Sequence, residues 1–308
     1  MATRCCGQWS YRQAADTLYE LCGIRLSPTT LGAIAQITSA ELAIKLENNS
    51  VIRKAFQTAK GRVEFYADGT SIHIRYQDGT MEWREVKVGV FAKREWGASA
   101  FPWEWNTRKL PETSAVSAFA IIGNKAEFQE YCQSERRRLG VGGVSSTVAD
   151  GAPWIWSLAD SVFGKTDECL DIYHAAEHIA DCSKVLYRDT ETATAWFERM
   201  RMVLLSEGFA GMERELSALN GFDDDKQKSV MSLLNYFQNH SDRLSYCERL
   251  AAGWVMGRGL IEGACKNLVG RRLKQTGACW RVERANRMLL ICSLLYSDQW
   301  KCCWNIST

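Results

Sequence analysis

The sequence predicts a mixed α/β fold, in which a mixed sheet flanked by helices is interrupted by an all-helical insertion and preceded by an N-terminal helical segment. Apolar residues recur at helical spacing before residue 57 and again between His174 and about Leu250. Between residues 62 and 122 they instead alternate with a period of two or form short apolar runs. With 46% hydrophobic and 24% charged residues, the composition is typical of a globular chain and excludes disordered and fibrous classes.

The N-terminal segment predicts two helices joined by a glycine turn. Ser10 can cap a helix that Gly23 ends, and Pro28 opens a second helix. Two helices across a turn are typical of a helix-turn-helix and also of a helical hairpin packed on the next domain. Only Arg25 and Lys45 are basic in the relevant stretch, which favours the hairpin.

The next segment predicts five strands and one helix. A hairpin is indicated where Asp78-Gly79 separates two alternating runs, because this dipeptide is a strong turn signal. In chain order the predicted elements are RVEFYADGTSIHIRY, EWREVKVGVFAKRE, the apolar strand 115–122, the helix 125–140 closed by Gly140, a short strand ending at Asp150, and the strand 168–173.

These patterns divide the chain into four parts. Glu262 belongs to the last of them, in a segment with helical spacing, LIEGACKNLVGRRLK. The parts are an N-terminal helical segment (1–57), the first part of the α/β core (58–173), the helical insertion (174–254) and the C-terminal helical part of the core (255–308).

Three acidic residues are candidates for metal chemistry. Asp68 and Asp150 each lie in an apolar strand pattern and are followed by glycine, whereas Glu262 is on a later helix. A charge in an apolar strand needs a partner or a metal, and hard Mg²⁺ prefers carboxylate oxygens. The plain alternative is a solvated surface group, as most of the 36 Asp and Glu residues must be.

Four ordered segments carry a resemblance to a known family. They are WREVKVGVF (83–91), DGAPWIW (150–156), DIYHAAEH (171–178) and IEGACKNLVGRRLKQTG (261–277). In this order they resemble bacterial insertion-sequence transposases of the ISKra-four family, which are DDE transposases.

The resemblance implies an RNase H-like core whose metal-binding, catalytic carboxylates fall on Asp68, Asp150 and Glu262. It also implies two Mg²⁺ or Mn²⁺ ions, cleavage at element ends followed by strand transfer into target DNA, and a homodimer or higher oligomer on DNA. The Asp-x-x-His pair that ends at His174 is similar to one that positions DNA in related transposases. The alternative for His174 is a histidine satisfied by local hydrogen bonds.

A basic stretch follows the glutamate. Its members Lys266, Arg271, Arg272 and Lys274 are predicted to contact DNA phosphates, although charged helix faces are often only solvated. The net charge of +2 neither favours nor excludes a nucleic-acid partner.

Two features depart from the family pattern. Gly257-Arg258-Gly259 stands where the family resembles Gly-Ser-Gly, and an arginine there either binds phosphate or blocks the metal site. Family members also carry more chain before the N-terminal helices, which implies a truncated or partial element. The alternatives to an active transposase are therefore a truncated or inactive DNA-binding remnant and an RNase H-like nuclease.

Other classes find little support in the sequence. It contains no P-loop, GxSxG or HExxH motif. It also has no apolar run long enough for a membrane span, and its twelve cysteines include no CxxC pair. We therefore expect a cytoplasmic, nucleoid-associated bacterial protein with reduced thiols and no membrane partner.

Overall fold

Four helices are described in the N-terminal segment. The computed structural model describes residues 1–47 and 49–304; Asn48 and residues 305–308, which belong to the predicted parts 1–57 and 255–308, lie outside the described residues. The helices are α1 (Ala2–Gln8), α2 (Tyr11–Cys22), α3 (Pro28–Glu47) and α4 (Ser50–Thr58). The predicted boundaries of α2 are confirmed, since the Gln13 amide donates to Ser10 Oγ and Gly23 ends the helix with a φ of 67°. A cap of this kind stabilises a helix by about 1 kcal/mol.

A five-stranded mixed sheet follows, and it confirms the predicted α/β class. Its strands are β1 (Arg62–Arg75), β2 (Met81–Arg94), β3 (Thr113–Ile121), β4 (Ser146–Ala149) and β5 (Asp167–Leu170), in the order β3-β2-β1-β4-β5. Strands β1, β2 and β3 are antiparallel, whereas β4 is parallel to both β1 and β5. The predicted hairpin turn is confirmed, because Gly79 has a φ of 87° and the Asp78 carboxylate accepts from the Thr80 amide.

Helices α5 (Lys125–Leu139) and α6 (Pro153–Phe163) pack on the sheet through aromatic side chains. The buried rings of Phe65 and Phe91 lie 5.3 Å apart, and both contact Phe163 of α6. Phe119 likewise meets Phe128 of α5 at 5.9 Å. Each such pair adds about 0.5–1.5 kcal/mol beyond the burial of its area. The sequence did not predict α6, although proline in the first turn is a signal for a helix start.

The predicted insertion is helical throughout most of its length. It comprises α7 (Ile172–Leu186), α8 (Thr190–Ser217), α9 (Asp224–Asn239) and α10 (Tyr246–Ala251). The carboxylates of Asp189 and Asp223 cap α8 and α9, and α8 is kinked at Gly208, where φ is 58°. The boundaries at 173/174 and 254/255 stay predictions.

The predicted strand 168–173 is too long. Strand β5 ends at Leu170, and Asp171 instead caps α7 by accepting from the Tyr173 amide. The partner strand β4 ends at Ala149, so no strand remains to pair with residues beyond Leu170. The apolar pattern continues into the first turn of α7 and favours a longer strand, although Asp171 is itself a typical helix-capping residue.

The chain then returns to the sheet through a helical run. This run is α11 (Gly259–Ala264), a π-helical turn (Cys265–Gly270) and α12 (Arg271–Leu273); α13 (Val282–Tyr296) follows. Helix α11 contacts β1 and β2. Helix α13 packs on β3, and helices α1 and α3 pack on α13. Ser39 Oγ of α3 donates to the Arg287 carbonyl of α13 at 2.8 Å. The N-terminal helices thus pack on the rest of the protein, as expected for the hairpin. Short 3₁₀ turns occupy Pro102–Glu104, Ser241–Arg243 and Lys301–Trp304.

The structure bears on two features of the composition, the apolar segments and the cysteines. No helix within residues 1–47 and 49–304 combines the length and apolar character needed to cross a bilayer. All twelve cysteines lie in this part of the chain, and each is a free thiol.

Candidate active site

Three aspartates lie side by side at one edge of the sheet: Asp68 is on β1, and Asp150 and Asp171 directly follow β4 and β5. Paired residues of β1 and β4, such as Tyr66 and Val148, differ by 82 in number, and those of β4 and β5 differ by 21. The same offsets lead from Asp68 to Asp150 and from Asp150 to Asp171. Residues at equal offsets share one level and one face of a parallel sheet, so the register itself aligns the three carboxylates.

Glu262 reaches this row on the segment that returns from the insertion. The Ile172 amide, at the start of α7, donates to the Met256 carbonyl at 3.0 Å and holds the segment beside the strand ends. Gly257 lets the backbone approach closely, because a Cβ there would lie 2.8 Å from the Tyr173 ring. Glu262 then lies in the first turn of α11, with its side chain 57% exposed.

The guanidinium of Arg258 lies among the four carboxylates. Its Nη1 donates to Asp68 Oδ2 at 2.6 Å and is 3.6 Å from Asp150 Oδ2. Its Nε donates to Asp171 Oδ2 at 3.1 Å and is 3.8 Å from Glu262 Oε1. Because Oδ2 of Asp68 and Oδ2 of Asp150 both lie close to the same Nη1 atom, they cannot be farther apart than the two distances to that atom added together. The structure therefore brings together the three carboxylates singled out from the sequence and adds Asp171 to them.

Burial and charge compete in this cluster. Burial raises the pKa of Asp68 and of Asp171, although Arg258 acts to lower it. Burial alone would lower the pKa of Arg258, but the surrounding carboxylates raise it above its ordinary value. Four carboxylates face one guanidinium, so acid outweighs base and the cluster attracts further positive charge.

The donor set fits hard divalent cations by its chemistry. Mg²⁺ and Mn²⁺ prefer carboxylate oxygens, and Asp68, Asp150 and Glu262 would supply them beside Asp171. Within the described ranges 1–47 and 49–304, no three His, Cys, Asp or Glu side chains are grouped so that they could hold a metal ion. The assignment of these residues as metal ligands stays a prediction.

His174 is part of the first turns of α7, close to the aspartate row. Its Nδ1 lies 3.2 Å from Glu177 Oε2, which is the local contact that the plain alternative expects. Its ring is 4.9 Å from that of His178. The predicted role of His174 in positioning DNA stays a prediction.

An aromatic and histidine cluster adjoins Asp150. His178 stacks on Tyr236 at 3.8 Å, and His240 lies 5.0 Å from the same ring. A Cβ on Gly151 would lie 2.9 Å from His240 Nε2, so glycine is required for this approach. Burial lowers the pKa of both histidines, which keeps them mainly neutral at pH 7. The sequence did not single out this cluster, because its members come from α7, from α9 and from the residue that follows α9.

Three of the predicted DNA-contacting residues lie on the surface next to the site. Lys266, Arg271 and Lys274 are exposed along the run that follows Glu262. Lys274 Nζ donates to Oγ1 of Thr70, which is two residues beyond Asp68 on β1. The basic side chains therefore extend from the edge of the carboxylate cluster.

The prediction that Arg272 contacts DNA must be corrected. This residue is 3% exposed, and its Nε donates to the Cys6 carbonyl of α1 at 2.6 Å. Its guanidinium also packs over the rings of Tyr11 and Trp280, at 4.7 and 4.8 Å. An arginine held between two rings stabilises the junction with the N-terminal helices and does not reach a phosphate.

Asp171 is the carboxylate that sequence reasoning missed as a member of the cluster. Its signal was present, because it follows the apolar end of β5 just as Asp150 follows β4. The overlong strand prediction placed it inside a strand and concealed the equivalence.

A large cleft elsewhere does not contain this chemistry. It is lined by residues of α3, α4, α5 and α13 and by none of the four carboxylates. Two of its arginines are already paired, Arg138 with Glu135 and Arg287 with Glu283. The carboxylate cluster is therefore the stronger candidate for an active site.

Two comparisons with known proteins were without a match. No protein-family model matches the chain, and no curated protein matches it. What the site does is therefore inferred from its side chains and their contacts.

Proposed function

We propose that this protein is a DDE-type DNA transposase. It would hydrolyse phosphodiester bonds at the ends of its element and join the new 3′ hydroxyl groups to target DNA. The observation that carries the proposal is the convergence of Asp68, Asp150 and Glu262, which come from three separate parts of the chain, on one point. Because two element ends must be joined, we expect a homodimer or a larger assembly on DNA.

The architecture supports an RNase H-like core within this proposal. Three antiparallel strands are extended by two parallel ones, and helices pack on the sheet. The helical insertion stands between the strand that precedes Asp171 and the helix that carries Glu262. Such an insertion is more than a minimal nuclease needs, which favours the transposase over a simple nuclease.

The chain's own residues prepare the site for metal and DNA. Backbone amides of Gly69 and Ala152 donate to Oδ1 of Asp68 and Asp150, at 2.7 and 3.1 Å, which fixes both carboxylates and directs their Oδ2 atoms toward the cluster. Two bound Mg²⁺ or Mn²⁺ ions would activate the attacking oxygen and stabilise the leaving one. The exposed basic side chains beside the site would hold DNA phosphates.

The proposal is tested by incubating the purified protein with Mn²⁺ or Mg²⁺ and DNA that carries the ends of its own element. Wild type is expected to produce nicked ends and joined products that depend on the metal. The variant Asp150→Asn retains a side chain of similar size but lacks one ligand charge, so both products should disappear. Cleavage without joining would instead indicate an RNase H-like nuclease.

A second candidate function is a DNA-binding protein without catalytic activity. The position of Arg258 among the carboxylates favours it, because a permanent guanidinium there would exclude metal. Metal-independent binding of the DNA ends, with no cleavage by wild type at any metal concentration, would replace the transposase proposal with this one.

The basic surface makes its own prediction. The double variant Arg271→Ala/Lys274→Ala is expected to bind DNA more weakly and to lower the slope of log K against log salt by about 2, since about one counterion is released per phosphate contact. Filter binding or fluorescence anisotropy at several salt concentrations measures this. Lys54→Ala, at an exposed position on α4, is the control and should leave the slope unchanged. An unchanged slope in the double variant would remove this surface from DNA binding.

A further inference from the structure

Arg258 and a divalent cation compete for the same oxygen atoms. The guanidinium Nη1 is 2.6 Å from Asp68 Oδ2 and 3.6 Å from Asp150 Oδ2. An Mg²⁺ ion bound to these oxygens would lie about 2.1 Å from each, within the space that Nη1 now occupies. The two cations therefore cannot be held by this pair of carboxylates at the same time.

The contacts of Arg258 are more than one structural ion pair would provide. Its two donor nitrogens reach carboxylates from β1, the end of β4, the cap of α7 and the first turn of α11. Without a positive charge, these four carboxylates would repel one another at close range. The guanidinium thus neutralises part of the same charge that metal ions would neutralise.

The surroundings of Arg258 leave room for another position of its side chain. Arg258 is the residue before the first turn of α11, and its side chain is 17% exposed. At the next residue, Gly259, a Cβ would meet no atom within 4 Å. Open space therefore adjoins the backbone directly after Arg258.

We propose that Arg258 is an internal counter-cation, which closes the carboxylate cluster in the metal-free protein and must be displaced before divalent metal binds. This rests on the proposed function only in taking the cluster as the metal site. Arg258 is a positioning residue here, because it acts through the four carboxylates. In the metal-free protein Arg258 keeps the four carboxylates together. Its displacement requires free energy, which lowers the affinity of the cluster for divalent metal.

The test is metal binding by the purified full chain without DNA, measured by titration calorimetry with MnCl₂. Arg258→Ser and Arg258→Gln are each expected to bind Mn²⁺ about tenfold more tightly than wild type, because no cation has to leave. Arg287→Ser is the matched control. It removes an arginine paired with Glu283 and should leave the affinity unchanged.

Thermal unfolding provides a second measurement that a purely structural role would not reproduce. Without metal, both variants at position 258 should unfold at a lower temperature than wild type, because the carboxylates lose their counter-charge. Millimolar Mn²⁺ should restore much of the unfolding temperature that the two variants have lost. It should raise the unfolding temperature of wild type by a smaller amount. The Gln variant, which keeps much of the side-chain length, makes the test informative if the Ser variant does not fold.

The outcomes separate this inference from the proposed function. Equal Mn²⁺ affinity in wild type and both variants would overturn the role of Arg258 while leaving the transposase proposal in place. If no form binds Mn²⁺, the cluster is not a metal site and both proposals fail. Tighter binding in the variants, together with an absence of DNA cleavage, would support the role of Arg258 and overturn the transposase proposal.

Discussion

Replacing Asp68 with asparagine is expected to lower metal-dependent DNA cleavage on the order of a thousandfold, because a lost metal ligand removes several kcal/mol of transition-state stabilisation. Asparagine has nearly the same size, and its side-chain oxygen can still accept from the Gly69 amide. The fold should therefore persist, while the negative charge that holds a cation is absent. Initial rates of end cleavage, with circular dichroism to verify folding, measure the effect.

Two aspartate variants serve as comparisons. Asp171→Asn should reduce cleavage by less than Asp68→Asn, because Asp171 is 1% exposed and its Oδ1 caps α7, a role that asparagine also fills. Asp160→Asn, at an exposed position of α6, should cleave at the wild-type rate. Full activity in Asp68→Asn would remove this residue from the active site and with it the proposed metal chemistry.

Replacing Arg249 with methionine is expected to lower the free energy of unfolding by about 3 kcal/mol, because removal of one partner leaves buried polar groups without compensation. The Arg249 side chain is 2% exposed and joins three separate elements. It pairs with Asp167 of β5, bonds to Ser146 of β4, and its Nε donates to the Val255 carbonyl at 3.0 Å. Burial lowers the pKa of this arginine to about 9. Urea unfolding measures the loss.

The matched control is Arg243→Met. Arg243 also reaches β5 from the end of the insertion, but its partner is Glu168 and both side chains are more than a fifth exposed. Solvent compensates for the loss of such a pair, so the change should be within about 1 kcal/mol. Equal effects of the two substitutions would show that burial of Arg249 does not determine its contribution to stability.

Arg249 also bears on the candidate site. It holds the Val255 carbonyl, three residues before Arg258, so its loss should also weaken the placement of Glu262.

Much of the secondary structure could be predicted because its signals are local. Ser10 and Gly23 bound α2 through a cap and a left-handed residue, both of which act within a few positions. Asp78-Gly79 sets the hairpin turn for the same reason. Where two local signals overlap, as at the end of β5, the prediction was wrong by a few residues. An apolar strand there leads directly into the apolar first turn of α7.

The candidate site was predictable in part. Asp68 and Asp150 attracted attention because a charge in an apolar strand followed by glycine is unusual, and a resemblance of motifs indicated Glu262. Arg272 could not be placed from its motif, since a run of basic residues on a helical segment does not reveal which of them face inward. The contact with Cys6, far away in sequence, decides its burial.

The α/β class, several helix ends and three of the four carboxylates follow from the order of residues, because periodicity, caps and turns depend on neighbours in the chain. The row formed by Asp68, Asp150 and Asp171 depends on the parallel register of β1, β4 and β5, which no local pattern specifies. The place of Arg258 among them depends further on the path of the returning segment. Long-range pairing thus decides which charges meet, and the tertiary structure alone reveals that an arginine and four carboxylates share one site.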